Sequence, residues 1–73
     1  MYTREEIEKR VKEGQSCARL DLRGINFDGA YLSGGDFSYA NFEGCSMRGV
    51  NLSNANLQGA NLRGVDFSPL KKV

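Results

Sequence analysis

Written in blocks of five from Leu20, the chain reads LDLRG, INFDG, AYLSG, GDFSY, ANFEG, CSMRG, VNLSN, ANLQG, ANLRG, VDFSP, ten consecutive pentapeptides covering 50 of its 73 residues. Such periodicity constrains a fold more tightly than composition does, because each repeat must be one structural unit stacked on its neighbours. The third position holds Leu22, Phe27, Leu32, Phe37, Phe42, Met47, Leu52, Leu57, Leu62 and Phe67, so every phenylalanine falls in one register. The first position holds Leu20, Ile25, Ala30, Gly35, Ala40, Cys45, Val50, Ala55, Ala60 and Val65, apolar and mostly small. A helix repeats at 3.6 residues and a strand at 2.0, so neither accounts for a period of five. A three-residue extended segment puts its first and third side chains on one face, and a turn over the other two residues starts the next segment at an angle. Glycine ends seven of the ten repeats, from Gly24 to Gly64, which suits a corner where positive φ is cheap only without a Cβ. Asp21, Asn26, Asp36, Asn41, Asn51, Asn56, Asn61 and Asp66 at the second position supply short acceptors for the turn backbone. Four such sides close a square.

ANLQG (residues 55–59) and ANLRG (60–64) carry the closest resemblance to the pentapeptide-repeat family, whose consensus is Ala, then Asp or Asn, then Leu, then two variable positions. The resemblance spans Leu20 to Pro69. It implies an all-β solenoid, a right-handed quadrilateral β-helix of twenty residues per coil and about two and a half coils. At roughly 4.8 Å per stacked layer that column would be only about 12 Å tall. Gln15 to Arg19 reads as a degenerate eleventh repeat with Cys17 pointing inward. Departures from the pattern include Tyr31 in place of Asn or Asp, Tyr39 in place of Gly, Gly35 in place of Ala and Met47 in place of Leu or Phe. Phe37 is expected to fill the space that Gly35 leaves in a close-packed interior.

The two ends differ. Residues 1–14 read as a capping helix: Thr3 is the N-cap, Glu6 closes a capping box, Tyr2 and Ile7 form a hydrophobic staple and Gly14 supplies the stop. Glu5 with Lys9, Glu6 with Arg10 and Glu8 with Lys12 are expected as i,i+4 pairs. Residues 15–69 form the repeat body and 70–73 a basic tail of the same single domain. Pro69 lacks an N–H and stops further strand addition. Phe67 and Leu70 then lie at an open last coil, which points to association through that end, either between two copies as a homodimer or against a continuation of the chain. Stacking also predicts that residues twenty apart are neighbours, giving outward ladders of Arg23, Glu43, Arg63 and of Asp28, Arg48, Ser68. Leu52 and Leu57 are expected as buried centres beside exposed Ser53 and Gln58.

Chemistry is sparse. Ten Lys and Arg against nine Asp and Glu give +1, which provides no global field for nucleic acid or a membrane. No apolar run reaches the roughly 20 residues of a membrane span, and the opening residues lack the apolar stretch of a signal peptide, so the chain reads as cytoplasmic. There is no His, and the only cysteines are Cys17 and Cys45, on different sides of the column by register. No catalytic residue, metal ligand or cofactor site can be named from such a set, and the chain reads as no enzyme. Tyr31 and Tyr39, outward aromatics, are the partner-contact candidates. The best understood activity of the family belongs to long acidic members that resemble duplex DNA and bind type II topoisomerases. Here the repeats carry five acids and three bases, a mixed surface of −2 on a short column. The primary reading is a non-enzymatic scaffold or protein-binding module with a protein partner of unknown identity. The alternatives are a topoisomerase-binding DNA mimic and a truncated or engineered minimal scaffold whose only function is to fold.

Overall fold

The computed structural model describes residues 1–70. Its first element, α1 (Arg4–Lys12), begins where the sequence signals converge. Glu6 N–H donates to the Thr3 hydroxyl at 3.1 Å and Thr3 N–H donates to the Glu6 carboxylate at 2.8 Å, completing the capping box. At the other end Gly14, at φ +73°, lets its N–H reach Val11 O and Gln15 N–H reach Arg10 O, the paired bonds of a Schellman motif. One residue of α1, Ile7, is fully buried, and Tyr2 and Val11 pack beside it against the core. The Arg10 guanidinium donates to Ser16 O at 2.7 Å and so ties the helix to the first repeat.

Beyond α1 the chain comes back alongside itself every twenty residues. Six parallel bridges join second-position residues, from Asp21 with Asn41 to Ser46 with Asp66, and each spans twenty positions. Three sets of backbone bonds make the stack. Third-position N–H groups donate to the second-position carbonyl one lap on, as Leu22 does to Asn41 at 2.8 Å. Fifth-position N–H groups donate to the fourth-position carbonyl one lap on, and second-position N–H groups donate back to a first-position carbonyl one lap earlier. From the Cys17 repeat to the Leu62 repeat a turn closes from the third-position carbonyl to the next first-position N–H, as between Phe27 O and Ala30 N at 2.9 Å. From Arg19 to Gly64 every corner residue has positive φ, which glycine meets without strain. Arg19, Tyr39 and Asn54 adopt it as well, at 59–65°.

Gln15–Arg19 is the eleventh repeat: Cys17 is buried, its N–H donates to Asp36 O, and Arg19 turns the corner. The expected three-residue strands do not form. Among the described residues each side contributes a single bridged residue, because two residues of every five are spent in the turn and a third starts the next direction.

The core holds Ile7, Cys17, Leu22, Phe27, Ala30, Leu32, Phe37, Ala40, Phe42, Cys45 and Met47. Phe42 meets Phe27 edge-on at 6.1 Å and Phe37 at 5.2 Å between ring centroids. A Cβ at Gly35 would fall on the Phe37 ring, so the phenylalanine does occupy the room its neighbour leaves. One core expectation needs correction. Leu52 and Leu57 are only partly buried, and with them Leu62, because among the described residues the lap they belong to is covered from one side. Ser53 and Gln58 are exposed, as their register requires.

Candidate functional site

The second-position acceptor does its work in nearly every repeat. Asp21, Asn26, Asp36, Asn41, Asn51, Asn56, Asn61 and Asp66 each accept the N–H of the residue two further on, at 2.8–3.3 Å, and Ser16 does the same for Ala18. Where Ser46 interrupts the series, Asp28 from the lap below accepts both Arg48 N–H, at 2.9 Å, and the Ser46 hydroxyl. This substitution by a residue twenty positions earlier escapes a reading of single repeats, although the coil period puts Asp28 and Arg48 in one column. One repeat alone is left open: among the described residues Ser33 N–H has no protein acceptor, because Tyr31 stands where the others carry Asn or Asp. Tyr31 is 66% exposed and lines, with Glu8, Val11, Lys12 and Ser33, a cleft of about 560 Å³ between α1 and the repeats.

Tyr39 is placed differently. Its ring lies against the corner at Gly59, and the Arg19 guanidinium sits over it, 4.8 Å from the ring centroid. The three corners, twenty apart, thus form a column in which one aromatic ring meets a cation from one lap and an open glycine from another. Phe67 is 48% exposed at the last lap. Leu70 is partly exposed yet lies along the diagonally opposite corner column, where a Cβ at Gly49 would come within 2.9 Å of Leu70 Cγ and one at Gly29 within 3.2 Å of Leu70 Cδ1. The four candidate side chains therefore do not converge: Tyr31 faces the helix, Tyr39 and Leu70 fill corner columns, and Phe67 marks the last lap.

Charge pairing follows local reach more than the ladders. Arg23 binds Asp21 of its own repeat at 2.8 Å rather than Glu43 one lap on, and that carboxyl is held down to about 2 by the guanidinium. The Asp28 rung does form, with the Arg48 guanidinium at 3.0 Å. Asp28, Asp36 and Asp66 all sit below the ordinary carboxyl range, foremost because the hydroxyls of Ser46, Ser38 and Ser68 respectively hydrogen-bond to them. On α1 the ion pair among the described residues is Arg4 with Glu8 at 3.5 Å, in place of the three expected pairs. Glu6 is occupied by the cap and Arg10 by Ser16, so neither is free for the other.

The two thiols are free and buried, and burial pushes both above the ordinary cysteine value, which keeps them protonated at neutral pH. Among the described residues no three His, Cys, Asp or Glu side chains are grouped to hold a metal ion, and no helix is long and apolar enough to cross a membrane.

A structure made of tandem five-residue sides, with Asx-closed turns and a stacked apolar register, defines a repeat protein whose surfaces are its sides and its ends. The profile of the pentapeptide repeats matches residues 16–49 and 36–68 in eight copies, and the chain belongs to that family. Neither the curated proteins nor the solved structures contain a significant match.

Proposed function

We propose that the chain is a cytoplasmic, non-enzymatic scaffold, a right-handed quadrilateral β-helix of about two and a half coils under a helical cap, that works by binding protein. The observation that carries this reading is the unequal cover of its two ends. Ile7 and α1 lie over the first lap, whereas Leu52, Leu57 and Leu62 are half-buried and Phe67 is nearly half exposed on the last. Within the twenty-residue bonding pattern, third-position N–H groups of the last lap, such as that of Leu57, point to a lap further on and have no protein acceptor among the described residues.

A second copy related by a two-fold axis is the occupant best suited to this surface, since α1 blocks the other end from head-to-tail stacking and leaves a closed dimer. Sedimentation over a concentration series tests it. The wild-type chain should pass from monomer to dimer, and Phe67→Asp should hold it monomeric with a lowered melting temperature. Leu70→Asp is the companion variant; because Leu70 also packs on Gly29 and Gly49, its effect on stability should exceed its effect on association. A wild-type monomer up to near-millimolar concentration would overturn the dimer.

A further inference from the structure

We propose that the cleft between α1 and the 30–34 repeat docks an acidic segment of a partner protein, whose Asp or Glu carboxylate accepts the hydrogen bond that Ser33 N–H lacks. This rests on the protein-binding reading above and assigns it a second surface, away from the last lap. Every other fourth-position amide from Ala18 to Ser68 is satisfied by a side-chain oxygen of this chain, including the irregular case in which Asp28 replaces Ser46. At Ser33 the same oxygen would arrive from outside. Departures from an otherwise consistent local rule concentrate at functional positions, and here the departure removes an acceptor and installs an exposed aromatic ring in one step.

The surroundings favour a carboxylate over an amide. Lys12 lines the cleft and has no carboxylate within ion-pair distance among the described residues, while Glu8, the acid beside it, is engaged by Arg4 at 3.5 Å. A charge-assisted bond to a backbone N–H is about twice as strong as a neutral one. Tyr31 and Val11 offer apolar surface for the residue flanking the acid, and an exposed tyrosine anchors contacts at little cost in side-chain freedom.

The test is an amide NMR titration of the isotope-labelled full chain with acetyl-Leu-Asp-Leu-amide, and in parallel with acetyl-Leu-Asn-Leu-amide. The Ser33 amide proton should move downfield and saturate with the Asp peptide, with several-fold weaker binding for the Asn peptide and for Lys12→Gln. Tyr31→Asn is the decisive variant, because it restores the acceptor within the chain. Its Ser33 proton should lie downfield before any peptide is added and should no longer titrate, while the melting temperature rises. A Ser33 amide unmoved by millimolar Asp peptide, or an unchanged titration in Tyr31→Asn, would overturn the proposal. Either failure leaves the dimer intact, since that is decided by Phe67 in sedimentation.

Discussion

At Gly59 the backbone and a neighbouring ring compete for the same small volume. The residue needs φ +68°, and any Cβ there would strike Tyr39. Gly59→Ala should cost more than about 1 kcal/mol from the left-handed backbone alone, with the displaced ring adding to it. In Tyr39→Gly the ring contribution disappears and the backbone contribution stays, so urea melts of the four-member cycle should show a coupling of at least about 0.5 kcal/mol. Additive losses would mean that the ring does not rest on the glycine. The aspartates set a second expectation. Asp28, Asp36 and Asp66 have folded pKa values below the unfolded value, so their contribution is complete above about pH 4 and is lost as pH falls through the folded values. Asp36→Asn keeps an acceptor for Ser38 N–H but cannot titrate, and its stability should decline less steeply in acid than that of the wild type. Parallel acid limbs would contradict this.

The helix is the element whose stability can be separated into parts. Thr3→Ala removes the capping-box acceptor and should cost about 0.5–2 kcal/mol, whereas Ile7→Ala, which opens the buried contact with the first lap, should cost about 2–5 kcal/mol. Equal losses in thermal melts would indicate that the helix is held by its cap rather than by its packing. How far such features are legible beforehand depends on their range. Thr3, Glu6 and Gly14 act within a few residues, so α1 and its limits follow from reading along the chain, as do the corner glycines and the second-position acceptors. The side chains that answer across laps are harder to see. Asp28 serving Arg48, Arg19 stacking on Tyr39 and Leu70 covering Gly49 all depend on which neighbour wins a partner, and the twenty-residue period gives only the column. Arg23 makes the same point in reverse, since a partner two residues away in its own repeat outcompetes the expected one a lap on. The cleft at Tyr31 needed the helix and the repeats to be placed together, which no local signal specifies.

On the scale of the whole molecule the core is graded from one end to the other. Phe37 and Phe42 are fully enclosed, while Leu57 and Leu62 in the last lap are half-buried and Phe67 faces out. Phe37→Ala should therefore cost about 3–5 kcal/mol and Leu57→Ala, in dilute monomer, under about 2 kcal/mol, because only part of its surface is withdrawn from water. If the last lap is covered by a second copy, the gap should narrow as protein concentration rises. Denaturant titrations at two concentrations decide this, and a gap independent of concentration would separate the core gradient from self-association.

The bridges between residues twenty apart have one more consequence, which concerns how such a chain tolerates editing. Every inward side chain keeps its place because the count between partners such as Asn41 and Asn61 is fixed. Loss of one residue inside that interval would carry Asn and Asp into the interior and Leu and Phe to the surface from that point on, much as a slipped register inverts a sheet. Loss or duplication of a complete lap would leave each face as it was and α1 undisturbed, since a unit of this architecture touches only its immediate neighbours. The molecule is thus brittle to single-residue insertions and deletions in its repeats and tolerant of changes in multiples of twenty.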